Sequence, residues 1–267
     1  MPHRSFAAAL LAALALAGCG AQQQRPDDSG SSAAGEDPPL FGDRADARVR
    51  AKAHTDLAAA YYELGNMAVA LEEIRIALAA DPNYAPALNV QGLVNFELRD
   101  NAGAEASFKR AMALAPQDPD VFHNYGFFLC RTGREQEGVQ MYMTAIRNPL
   151  YQTPAKSWAA AGRCVEAKNP AEAEQFFERA LRLDPNTLGA MLPYATMLYR
   201  KGAYTEARAI VDRFQKIVAP TAESLWLSVR VERKLGDRVA ENNSATQLRR
   251  RYPNSKEYAD LLRGNFD

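Results

Sequence analysis

Thiols and imidazoles are the scarce reactive groups of this 267-residue sequence, which holds 3 cysteines and 3 histidines. His123 lies within two helical turns of Cys130, the reach at which an imidazole could take a thiol proton and leave a nucleophile. That chemistry needs a pocket and an orienting third group, and the sequence supplies neither. Glu72 and Glu73 are neighbouring carboxylates, but they fall on the outward side of a helical pattern and read as solvated. His54 reads as a helix-surface or interface residue. None of HExxH, GxSxG, GxxxxGK[ST] or GxGxxG occurs, and no CxxC pair suggests zinc. No catalytic residue, metal site, cofactor or small-molecule substrate is therefore expected, and the chain reads as a non-enzyme. Lys+Arg and Asp+Glu both number 32, a balance that speaks against nucleic-acid binding. Apolar residues make up 47% and charged residues 24%, which excludes a disordered chain, a collagen-like fibre and a multi-span membrane protein. Only 8 of the 32 basic residues are Lys, and such an Arg bias suits ion pairs of fixed geometry.

The third thiol, Cys19, belongs to a different kind of chemistry. Arg4 precedes an apolar run from Phe6 to Leu16, too short to span a bilayer and of the length of a signal-peptide core. The run closes with Leu16-Ala17-Gly18-Cys19, which resembles the lipobox of bacterial lipoproteins. The resemblance implies that residues 1–18 are a signal peptide cleaved after Gly18 and that Cys19 carries diacylglycerol. Gly20, where an Asp would favour inner-membrane retention, implies the periplasmic face of the outer membrane. The alternative is an ordinary secretory signal with an incidental Cys19. Residues 19–42 read as a lipidated, flexible tether, because Ala21 to Pro39 contain no large apolar residue. Such a coil would reach roughly 25 Å.

From Ala51 the chain repeats with a period of 34. In residues 51–84, Leu57, Ala58, Tyr61, Gly65, Ala70, Ile74, Ala77 and Pro82 set the pattern. Gly92, Ala104, Phe108, Ala111 and Pro116 keep it in residues 85–118. Residues 119–152, 154–187, 188–221 and 222–255 follow, with an extra Thr153 before the fourth unit and Glu241 in the sixth where Ala is usual. Apolar stripes at helical spacing give two helices per unit. Small residues let them approach, Gly suits the left-handed turn between them, and Pro stops the second. Asp118-Pro119, Thr153-Pro154 and Asn169-Pro170 each place a cap residue before a Pro that opens a helix. Pro193 predicts a shortened or bent helix start. Asp43 to Arg50 should extend the first helix, and residues 256–267 should form a capping helix. The pattern resembles the tetratricopeptide repeat. The resemblance implies an all-α, right-handed superhelical solenoid of six repeats over residues 43–267, with a C-terminal cap.

In that architecture the first helix of each unit lines a concave groove. Reading off its positions gives Tyr62, Asn89, Phe96, His123, Asn124, Phe127, Arg131 and Trp158 as candidate contacts for a protein ligand. The aromatics would serve as anchors, and Asn89 and Asn124 as partners for a ligand backbone. The same aromatics could instead pack between neighbouring helices as core. The Lys/Arg and Asn clamp for a C-terminal carboxylate is not evident, so an extended or helical peptide from another envelope protein is preferred. Cys130 and Cys164 are one repeat apart, on consecutive first helices that neighbour each other in the stack. A disulfide between them is expected in an oxidising compartment, the alternative being two buried thiols.

Lipobox, tether and six repeats together resemble the PilF/PilW family of type IV pilus biogenesis and stability proteins. The segment Asn124-Tyr125-Gly126-Phe127-Phe128-Leu129-Cys130, then Ala161-Gly162-Arg163-Cys164, is similar to that family's centre. Leu225-Trp226-Leu227 and Leu248 to Pro253 are similar to its end. The resemblance implies a pilotin: an outer-membrane lipoprotein that helps the secretin subunit of the type IV pilus machinery reach the membrane and form its ring. Another scaffold lipoprotein, serving barrel assembly or peptidoglycan enzymes, is the nearest alternative. A cell-wall enzyme with a repeat array would need a catalytic domain, and after six units only about 12 residues remain.

Overall fold

A computed structural model describes residues 41–266; the lipobox with Cys19, the signal segment 1–18 and nearly all of the tether 19–42 lie outside them. Thirteen helices form among the described residues. They pair as α1 (Phe41–Glu63) with α2 (Met67–Ala80), α3 (Ala85–Glu97) with α4 (Asn101–Leu114), and α5 (Pro119–Arg131) with α6 (Glu135–Arg147). The series continues with α7 (Pro154–Val165) and α8 (Pro170–Leu183), α9 (Leu188–Arg200) and α10 (Tyr204–Ile217), then α11 (Ala222–Leu235) and α12 (Arg238–Arg251). The helix α13 (Lys256–Arg263) follows as the cap. Helix α1 begins at Phe41, inside the stretch assigned to the tether.

The curvature follows from which helices touch. Each unit packs only on its neighbours. Each first helix contacts the first helix of the next unit, whereas the second helices do not touch one another among the described residues. First helices therefore crowd the inner face and second helices splay outside. One unit cannot bury its apolar stripe alone; stacking makes the core continuous.

Local chemistry sets the helix ends. Gly65, Gly133, Gly202 and Gly236 turn the chain between first and second helices at φ of 75, 82, 80 and 78°. Arg99 occupies the same place in the second unit at φ 67°, where its Cβ is strained. Arg99→Gly is expected to raise stability by about 0.5–1 kcal/mol after the unfolded chain's added freedom is subtracted. The measurement is a urea midpoint at unchanged slope; an unchanged midpoint would count against the strain.

Asp118 and Asn169 cap α5 and α8, accepting bonds from the Asp120 and Glu172 amides. Thr153 makes no side-chain cap. Its carbonyl instead accepts the Lys156 amide at 3.0 Å, so a backbone bond closes that turn. Pro193 does not shorten its helix: α9 has 13 residues, as α3 and α5 do. A Pro this near the start removes a single second-turn hydrogen bond, with Gly189 four residues before it. Glu241 is buried at the small-residue position, where Arg233 and Arg238 donate to its carboxylate at 2.9 and 3.1 Å.

Candidate protein-binding groove

The eight candidate positions do not form one exposed stripe. Phe127 is half-buried and Arg131 exposed, and both line a cavity of about 370 Å³ with Ala160, Arg163 and the two cysteines. Cys130 and Cys164 are joined as a disulfide with their Cα atoms 5.4 Å apart. It ties α5 to α7 beside this cavity. Tyr62 is half-buried; burial first, then the charge of Glu97 on the next first helix, raises its pKa.

The other positions turn inward. Phe96 is 8% exposed, its ring edge-on to Phe127 and Phe128 at 5.9 and 5.5 Å. It is core, because α3 and α5 touch and their seam covers it. Asn89 is also buried, and the Asn124 amide donates to its carbonyl oxygen at 3.2 Å, so the two asparagines serve each other rather than a ligand backbone.

His123 is sealed in the same way. Its Nδ1 lies 2.7 Å from the Ser157 hydroxyl, which the Tyr151 hydroxyl meets at 2.9 Å. The Ser157 side chain is 0% exposed, so no substrate reaches this contact. Burial first, and then the charge of Lys156, lowers the His123 pKa from 6.5 to about 4. The sign follows from linkage. Above pH 6.5 the ring is neutral in both states; below it the unfolded chain takes the proton first. Stability is therefore expected to fall between pH 6.5 and about 4, by up to about 3 kcal/mol. Thermal melts of wild type and His123→Gln at neutral and mildly acid pH measure this; equal slopes would refute it.

Trp158 turns toward its own unit's second helix. Its ring lies tilted against Phe176 at 5.5 Å and carries the Arg179 guanidinium at 5.2 Å. A Cβ on Gly162 would lie 2.6 Å from the Phe177 ring, just as one on Gly92 would lie 2.7 Å from Phe108. Gly162 thus joins Ala161, itself fully buried, as a close-approach residue of α7.

Three groove residues went unnoticed in the sequence: Arg163, Arg200 and Arg230. Arg163 and Arg200 line a second cavity of about 660 Å³, reaching from α7 to α11 and α13. Arg230 lies between the Tyr199 and Trp226 rings, at 4.9 and 5.6 Å from their centroids. The chain end returns over the same surface. The Tyr199 hydroxyl donates to the Phe266 carbonyl at 2.9 Å, and the Phe266 ring lies 5.4 Å from Trp226 with Arg233 4.0 Å above it.

A stack of helix pairs with touching inner helices and a residue-lined inner face defines a tetratricopeptide-repeat protein. The tetratricopeptide repeat signature matches residues 55–119 and 165–223. Type IV pilus assembly protein PilF of Pseudomonas aeruginosa is 30% identical over 234 residues, 87% of this chain and 92% of that one. The solved structure from the functional characterisation of Pseudomonas aeruginosa PilF superposes with a TM-score of 0.74, covering 83% of this chain and 99% of that one at 30% identity. The structure of PilW, a widely conserved type IV pilus biogenesis factor, gives 0.68 at 26% identity over 79% and 98% of the two chains. The chain belongs to the PilF family.

Proposed function

We propose that this protein is a lipid-anchored scaffold of type IV pilus biogenesis, a pilotin that carries the secretin subunit to the outer membrane and promotes its multimerisation. The reading is carried by one observation: similarity to a pilus assembly protein along nearly the whole length of both chains, with the same solenoid. The lipid anchor is Cys19, at the end of the apolar run. Two acyl chains hold a protein stably where one is marginal. The groove is the face that meets the partner, since the first helices of successive units present it as one continuous surface. The test is affinity capture from detergent-solubilised membranes. Recovery of the secretin with wild type, and loss of its outer-membrane rings in cells carrying Cys19→Ser, is the expected result. Capture of barrel-assembly or peptidoglycan proteins without secretin would overturn the reading.

A further inference from the structure

The bond between Cys130 and Cys164 is not sealed in the core. Both residues are half-buried, and both line the cavity of about 370 Å³. Helix α6 backs the bond: a Cβ on Gly138 would collide with the Cys130 sulfur, and the Glu135 carbonyl oxygen lies 3.6 Å from the Cys164 sulfur. The way in for a thiol is therefore the cavity. Its charge has one sign. Arg131 and Arg163 are exposed, adjoin the two cysteines in the chain, and are the only ionised groups among the residues that line it. Tyr142, the other titratable side chain there, stays protonated, since burial first, and then Tyr151, raises its pKa. Glu135 and Glu166, close by in the chain, turn elsewhere: Glu135 pairs with Lys168 at 2.8 Å, and Glu166 borders the larger cavity. Each cysteine stands in the last turn of a helix, where free carbonyls disfavour a thiolate, and each has a guanidinium beside it to offset them.

We propose that the Cys130–Cys164 bond is an exchange site, opened and reset in the folded solenoid by a dithiol oxidoreductase, a protein carrying two neighbouring thiols. In the opening step a thiolate of the oxidoreductase bonds to one cysteine sulfur, the Sγ–Sγ bond breaks, and its electron pair leaves on the other sulfur. That sulfur becomes a thiolate beside a guanidinium and takes a proton from water. The second thiolate of the oxidoreductase then attacks its own partner sulfur in the mixed disulfide and releases the remaining cysteine, which is protonated in turn. Two electrons and two protons reach this chain, and the oxidoreductase is left as a disulfide. An oxidised oxidoreductase runs the same steps in reverse. Two effects favour the exchange. Rates depend on access to the attacked sulfur, which the cavity gives, and on a low pKa of the leaving thiol, which nearby positive charge supplies. The same charge draws anionic thiols toward the bond. The tie between the third and fourth units thus follows the thiol poise of its surroundings. Closed, it holds α5 and α7 with the cysteine Cα atoms 5.4 Å apart; open, side-chain packing alone joins the two helices.

The test is the rate at which the bond opens in native protein without denaturant, read by acid quenching, alkylation and mass spectrometry. The probes are reduced glutathione, which is anionic, 2-mercaptoethanol, which is neutral, and a reduced thioredoxin as the dithiol. With each, the rate should rise in proportion to the thiol concentration. Arg131→Gln with Arg163→Gln should slow opening by at least about threefold with 2-mercaptoethanol, and by more with glutathione. Arg147→Gln with Arg249→Gln, an equal charge change on the outer helices α6 and α12, should leave the rate unchanged. A variant that merely loosened the fold would open faster, so slowing reports charge at the bond and not damage to the stack. A rate independent of thiol concentration would mean that unfolding, not the cavity, gives access, and would overturn the proposal. Equal rates in wild type and the Arg131, Arg163 variant, or a reduced thioredoxin that leaves the bond closed, would overturn it as well. The outcome is separate from the pilotin reading, which secretin capture decides.

Discussion

Phe96→Ala is expected to lower the free energy of unfolding by about 3–5 kcal/mol, the range for emptying a buried aromatic site. The ring is 8% exposed and meets Phe127 and Phe128 edge-on, with Phe108 in the same cluster. The seam between α3 and α5 is built around it. Truncation leaves a cavity that helices tied by short loops cannot fill by collapse. Phe96→Leu, which keeps most of the volume, should cost clearly less. Urea unfolding followed by circular dichroism measures both. A loss of partner capture by folded Phe96→Ala at unchanged urea midpoint would restore the ring as a binding anchor.

The second large effect concerns the disulfide. Replacing Cys130 and Cys164 together by Ala should destabilise by about 3–4 kcal/mol, the chain-entropy value for a loop of this length; the two residues are 34 apart. Reductant should lower the wild-type midpoint and leave the double variant untouched. Alkylation of both thiols in unreduced, denatured protein would show that the bond does not form in the cell. Each single variant leaves a free thiol open to exchange with other disulfides, so the double variant is the cleaner measurement.

Helix positions were legible because each boundary has a local cause. The glycine turns and the prolines after second helices recur at nearly one spacing, and α5, α7 and α8 begin where Pro119, Pro154 and Pro170 stand. The groove was less legible, because which way a side chain turns depends on a neighbouring unit. Phe96 and Phe127 look alike in sequence; only the α3–α5 contact buries the first and leaves the second half-exposed. Ala161 and Gly162 are both small, and nothing local announces that Trp158 lies against Phe176 and Arg179 of its own unit. The arginines were present in the sequence, but which of them border a cavity is a property of the assembled stack. The sixth unit's Glu241 looked like a defect until Arg233 and Arg238 were found closed around it.

The splayed second helices have a mechanical meaning. With inner helices in contact and outer helices apart, the array resembles a leaf spring: it bends by small rocking at each inner seam, and the rocking accumulates toward the ends. Two places resist. The bond from Cys130 to Cys164 rivets α5 to α7, and the Tyr199–Phe266 contact straps α9 to the chain end. Compliance is therefore concentrated in the first two units, while the stack from α5 onward keeps its curvature. A load pulling on the two ends would unroll the spring from its N-terminal side first. The length of chain between the two cysteines would stay out of the extension for as long as the rivet held.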